Sequence, residues 1–144
     1  MAYAFPSADW TDAFRDAVNA NARYQTAGKD WQHGAVAMII EADAALGLET
    51  PVGMLLEVEH GHCRAARYFS GGLEEDAAAF VIEAPYSQWR AVLQGQLDPI
   101  LGMMEGKLRL TRGDLPTMIR FVEASRELVK SATQVDTHFV LEAR

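Results

Sequence analysis

The sequence predicts a single α+β domain, with a mostly antiparallel sheet of about five strands that has one face covered by helices. Three observations carry this expectation. Four or five short segments between residues 36 and 111 alternate apolar with polar side chains, the period of a strand buried on one face. Stretches with apolar residues three and four apart stand before and after these segments. The 144 residues show no Pro/Ser/Gly-rich linker and no internal repeat, which suits one hydrophobic core over residues 1–144.

The elements follow in chain order. Ser7, Asp9 and Asp12 put helix-start and acidic residues where a helix dipole favours them. Trp10, Phe14, Ala17, Val18, Ala22 and Tyr24 then predict one amphipathic helix over about residues 8–26, ending near Gly28. Strands follow at residues 36–41 (Val36, Met38 and Ile40 on one face), 54–59 (Met54, Leu56, Val58), 80–84 (Phe80, Ile82, Ala84) and 107–111 (Leu108, Leu110), with a weaker one at 63–69. Thr50-Pro51, His60-Gly61 and Gly71-Gly72 read as turns. Glu57, Glu59, Glu83 and Arg109 are expected together on the opposite, solvated face, with Glu41, Arg64 and Lys107 beside them. Helices are predicted from Tyr86 to Leu93 and from Asp98-Pro99 through Met104. A longer one is expected from the cap at Asp114 to about residue 133, carrying Leu115, Met118, Ile119, Val122, Ser125, Val129 and Ala132 on its stripe. A cone-shaped fold of nuclear-transport-factor type shares the helix-first order, but such cones end in strands and this chain's last strong signal is a helix.

Composition narrows the function classes. With 13 basic and 20 acidic residues the formal charge is −7, and no basic stripe is present to neutralise phosphates, so nucleic acid is not an expected partner. The one cysteine, Cys63, has no cysteine to pair with and suits a reducing compartment. Residues 1–6 lack the basic start of a signal peptide, and no window reaches the ~18 apolar residues of a membrane span. A cytoplasmic protein is expected.

Little of the sequence suggests catalysis. His60-Gly61-His62-Cys63 is the one cluster of metal-ligand or nucleophile types, and its plainer reading is a hairpin turn with exposed polar residues. Ser70-Gly71-Gly72 lacks the spacing of a nucleophile elbow or phosphate loop. Asp98 and Asp114 read as helix caps, and Glu74-Glu75-Asp76 as a solvated run. No catalytic residue, metal or cofactor is expected, and the protein is expected not to be an enzyme. Apolar residues, by contrast, concentrate toward the second half. They form either a filled core or an apolar cavity, which pattern alone does not separate.

The stretch from Phe80 to Asp114 resembles the sterol carrier protein 2 family. The resemblance rests on Gly95-Gln96-Leu97-Asp98-Pro99 (Gly-x-Leu-Asp-Pro) and on Gly106-Lys107-Leu108-Arg109-Leu110-Thr111-Arg112-Gly113-Asp114 (Gly-Lys-Leu-x-Leu-x-x-Gly-Asp) with the helix that follows, and element order is similar from about residue 32 to 134. It implies a stand-alone lipid-binding domain that holds a fatty acid, fatty acyl-CoA or sterol-like lipid in an apolar tunnel between sheet and helices, without changing it chemically. Transfer of that ligand, transient membrane contact and a homodimer are compatible with it. The expected lining is Met38, Met54, Leu56, Phe80, Ile82, Trp89, Leu93, Leu101, Met104, Leu108, Leu110, Met118, Ile119 and Val122. The alternative is an interaction or oligomerisation module with a filled core and no ligand.

Overall fold

The computed structural model describes residues 2–141. Its elements in chain order are β1 (Tyr3–Phe5), α1 (Ala8–Asn19), α2 (Ala22–Ala27), β2 (Val36–Ile40), β3 (Val52–Glu59), β4 (His62–Ser70), β5 (Phe80–Ala84), α3 (Tyr86–Leu93), α4 (Pro99–Met104), β6 (Arg109–Arg112), α5 (Leu115–Arg120), α6 (Val122–Thr133) and β7 (Thr137–Phe139). A 3₁₀ turn at Ala44–Leu46 sits between β2 and β3. The fold is α+β, as expected.

Five strands form one sheet in the order β4-β3-β2-β5-β6. β2, β3 and β4 make an antiparallel meander, and β5 returns beside β2 in parallel before pairing antiparallel with β6. The sheet is therefore mixed at one junction. The β3–β4 hairpin turns at His60 and Gly61, with φ of 51° and 79°, since a two-residue hairpin turn of type I′ requires positive φ at both central positions.

Register sets the two faces. Val36 lies opposite both Leu56 and Phe80, and Met38 opposite both Met54 and Ile82, so these six share the face that the helices cover. Glu83 faces Arg109 across β5–β6, and both lie with Glu57 on the other face, as expected of them. That second face is drier than the alternation predicts. Ala37, Leu55, Phe69 and Ala78 are buried there, with Leu73, Ala77 and Val81 packed around them. The segment after β4 folds back over this patch, and the Arg67–Glu74 ion pair (2.9 Å) ties it down.

Helix α6 is the hub of the covered side, packing on each of the other five helices, while α1 also lies along β4. Two predicted helices are broken. The helix over residues 8–26 ends at Asn19 and restarts after Asn21, whose Oδ1 accepts the Arg23 and Tyr24 amides (3.0 and 3.1 Å). The Asn21 Nδ2 donates to Ser131 Oγ at 3.0 Å, so a side chain that caps α2 also fastens it to α6. The helix after Asp114 is likewise split, at Phe121 (φ −107°, ψ 33°). The last sheet strand begins at Arg109, two residues later than its apolar alternation suggests, after a fully buried Leu108. Strands β1 and β7 pair in parallel, Tyr3 with Thr137 and Phe5 with Phe139. At three residues each they are too short for alternation to reveal.

Candidate ligand cavity

The helix layer does not close completely on the sheet. A cavity of about 80 Å³ lies between them. Its floor is Val36, Met38, Leu56, Val58 and Ile82 from three strands, and its walls are Trp89, Val92 and Leu93 of α3, Pro99 and Met103 of α4, and Met118 of α5. Phe121, Ala124, Ser125, Leu128, Val129 and Ala132 close the α6 side, with Phe14, Tyr24, Trp31 and Leu108 completing it. No charged side chain and no histidine lines it. A second, smaller void of about 10 Å³ lies beside Met54, Phe5 and Ile40. Met38, Trp89 and Leu93 line both spaces, so a flexible methionine forms part of the partition between them.

The polar atoms among the aromatic walls are mostly accounted for. The Trp89 indole N–H donates to the Ile39 carbonyl at 2.8 Å and that of Trp31 to the Gly34 carbonyl at 2.9 Å, which leaves their rings to face the cavity. Trp31 is further held between Phe80 and Phe121, with ring centroids 5.2 and 5.0 Å away. Burial pushes the Tyr24 phenol far above its ordinary pKa, so it is a neutral hydroxyl at any physiological pH. Tyr24 and Ser125 supply the hydroxyls of the lining.

Half of the expected lining residues meet at this cavity: Met38, Leu56, Ile82, Trp89, Leu93, Leu108 and Met118. Met54 lines the smaller void. Phe80 is buried against Trp31 behind the wall, and Leu110 and Val122 are half-buried at the edge of the core. Leu101, Met104 and Ile119 point away from it and are 50%, 59% and 44% exposed. The reason is a rotation of α4. Pro99–Met104 is apolar all round, so nothing in its sequence distinguishes the 100/103 face, which is buried, from the 101/104 face, which is not. In α5 the break at Phe121 likewise turns Met118 inward and Ile119 outward. Phe14, Tyr24, Leu128 and Val129 belong to the lining as well, and their signal was the apolar stripe of their own helices.

The turn at residues 60–63 is built as a hairpin. His60 Nδ1 lies 3.0 Å from the Lys29 carbonyl and His62 Nδ1 3.3 Å from Asn19 Oδ1. Cys63 faces the interior, 2% exposed, and its thiol donates to the Ala65 carbonyl at 3.3 Å. Burial, aided by the Glu57 carboxylate, pushes that thiol up to about 11 against the opposing pull of Arg15 and the Ala65 hydrogen bond. Among the described residues no three His, Cys, Asp or Glu side chains converge as metal ligands would. No helix among them is long and apolar enough to cross a membrane.

No family model matches the sequence, and neither does any curated protein. Solved structures do. A crystal structure of sterol carrier protein 2 is 33% identical, with a TM-score of 0.83, over 90% of this chain and 97% of that one. A solution structure from Thermus thermophilus, of a conserved hypothetical protein named as a candidate sterol carrier protein, is 32% identical with a TM-score of 0.84, over 92% of this chain and 90% of that one. The apo form of sterol carrier protein 2 from Yarrowia lipolytica shares the fold at 13% identity, with a TM-score of 0.53 over 85% of this chain and 88% of that one.

Proposed function

The chain belongs to the sterol carrier protein 2 family, and from that premise we propose that it binds one apolar ligand, a fatty acyl chain or a sterol-like lipid, between its sheet and helices. The observation that carries this reading is the cavity lined by aliphatic, aromatic and methionine side chains, with Ser125 and no charged group among them. Burying a chain there contributes about 0.8 kcal/mol per methylene, offset by the cost of ordering it. An ionised headgroup gains nothing inside such a lining, so a carboxylate or thioester head belongs at the rim. The lining also offers no acid, base or activated nucleophile, which supports binding without chemistry. An unpaired, buried thiol at Cys63 fits a cytoplasmic setting.

The cavity's size favours the competing reading of a filled core. Its 80 Å³ falls well below the roughly 300–1,000 Å³ of a typical ligand site. The binder reading therefore requires the wall to yield, and two features of the wall support that. Helices α4 and α5 have six residues each, and Met38, Met103 and Met118 can change rotamer at little cost.

Native mass spectrometry of freshly purified protein tests the proposal. A co-purifying lipid mass, or a one-to-one adduct after incubation with oleic acid, supports it. A bare protein that takes up neither fatty acid nor cholesterol overturns it and leaves the interaction module standing.

A further inference from the structure

Three of the five large hydrophobic side chains that stand exposed among the described residues lie on the two short helices that wall the cavity. Leu101 and Met104 are one turn apart on α4, and Ile119 is on α5, which packs against α4. The same helices turn Met103 and Met118 inward onto the cavity. The wall that has to yield is thus apolar on both sides.

Charge around this wall departs from the rest of the chain. Residues 99–121 hold four basic and two acidic residues, whereas the remainder holds nine basic and eighteen acidic. Two of the four cations are engaged elsewhere, Arg109 with Glu41 at 2.5 Å and Arg112 with the Glu75 and Ala78 carbonyls. The other two flank the apolar residues. Arg120 adjoins Ile119, its guanidinium over the Phe121 ring at 5.7 Å from the centroid, and exposed Lys107 follows α4, its ammonium 3.9 Å from the likewise exposed Glu105 carboxylate, a surface pair that headgroup phosphates can outcompete.

We propose that Leu101, Met104 and Ile119, flanked by Lys107 and Arg120, form the surface by which this protein docks on an anionic lipid bilayer, with the cavity wall facing the membrane. The proposal rests on the lipid-binding reading and gives the ligand its route. Apolar side chains that reach the acyl boundary, next to cations at headgroup level, are the chemistry of an interfacial contact. The net negative charge of the remainder repels the same surface, which orients the molecule with α4 and α5 foremost. A second copy of the chain fits less well. Three side chains provide far less than the roughly 800 Å² per partner of a standard interface.

Flotation of the full chain with vesicles tests this directly. Vesicles of phosphatidylcholine with about one-third phosphatidylserine should carry the protein at low salt, and pure phosphatidylcholine vesicles should carry about tenfold less. Leu101→Ser/Met104→Ser/Ile119→Ser, and separately Lys107→Glu/Arg120→Glu, should each reduce flotation about tenfold while thermal melting stays near the parent's. A second measurement uses Met104→Cys carrying an environment-sensitive fluorophore, feasible because Cys63 is buried. Its emission should shift blue on anionic vesicles, while the same label at Asp12→Cys on α1 should not shift. Flotation unaffected by either set of substitutions, an equal shift at both labels, or concentration-dependent dimers that those substitutions abolish would overturn the proposal. A parent protein that binds oleic acid in solution yet ignores vesicles overturns the docking alone. One that docks yet takes up no lipid overturns the binding reading alone.

Discussion

Arg126 Nε donates to Asp98 Oδ1 at 2.8 Å and so ties α6 to the first turn of α4 beside the cavity. The two residues adjoin lining residues, Asp98 before Pro99 and Arg126 after Ser125. The other carboxylate oxygen of Asp98 accepts the Ile100 and Leu101 amides at 3.1 and 3.0 Å, so one side chain both caps the helix and anchors it. Asp98→Ala removes both functions and should cost about 1–2 kcal/mol, the usual range for a lost cap. Arg126→Gln removes only partly exposed ion pairs, to Asp98 and Glu123, and should leave urea unfolding close to the parent's. Paired denaturation curves check the difference.

The acid limb of stability should feel the same residue. Partial burial pushes the Asp98 carboxyl up, but the Leu101 amide, the Arg126 guanidinium and the Ile100 amide together hold it below its ordinary value. A carboxyl lowered in the folded state adds stability above its unfolded pKa, and that contribution fades as pH falls through the lower, folded one. Below about pH 4 the melting temperature of the parent should therefore fall more steeply than that of Asp98→Asn. Parallel melting curves from about pH 2 to pH 7 would show it.

Two glycines of the motif before α5 should respond differently to alanine. Gly113 has φ +94°, and a Cβ there would overlap the Phe80 ring; Gly106 has φ +77° and open space around it. Gly113→Ala adds a clash in the core to backbone strain and should cost about 2–4 kcal/mol, whereas Gly106→Ala should cost about 1 kcal/mol. Chemical denaturation of the two variants separates them.

The cavity itself can be filled. In a packed core Met118→Trp would cost about 1–3 kcal/mol from overpacking. Because Met118 faces empty space, the variant should lose less than about 1 kcal/mol while its affinity for a fluorescent fatty acid falls at least about tenfold. Melting and titration on one sample provide both readings.

The turn at residues 60–63 should prove structural. Native protein at about pH 7.5 should resist iodoacetamide at Cys63 and react fully once unfolded, because the side chain is buried from the reagent and burial pushes its thiol up to about 11. The combined variant Cys63→Ser/His60→Ala/His62→Ala should bind fatty acid within a few-fold of the parent. A hundredfold loss, about 2.7 kcal/mol, without unfolding would move the functional centre to this turn.

The sheet and its covered face were legible because alternation reports burial directly: Val36, Met38, Leu56 and Ile82 fell where a period of two places them. Helix faces were legible only where polar residues marked the outer side. The uniformly apolar Pro99–Met104 carries no such mark, so its apolar residues are all expected toward the interior and the lining expectation takes Leu101 and Met104 where the structure has Met103. The breaks at Asn21 and Phe121 depend on tertiary partners, Ser131 for one and Trp31 for the other, which lie far away in sequence. The second apolar face was hidden because Leu55 and Phe69 find their cover in a loop whose acidic run reads as solvated.

Tryptophan emission during a titration with cis-parinaric acid, in the absence of vesicles, reports most directly on whether a lipid chain enters this cavity. Trp31 and Trp89 both line it, and a bound polyene accepts their excitation energy at contact distance. Burying eight or more methylenes contributes at least ~6 kcal/mol before ordering costs, so saturable quenching at one equivalent with roughly micromolar affinity is the expected result. Quenching that never saturates, or tryptophan emission that does not change, would contradict a lipid site between sheet and helices.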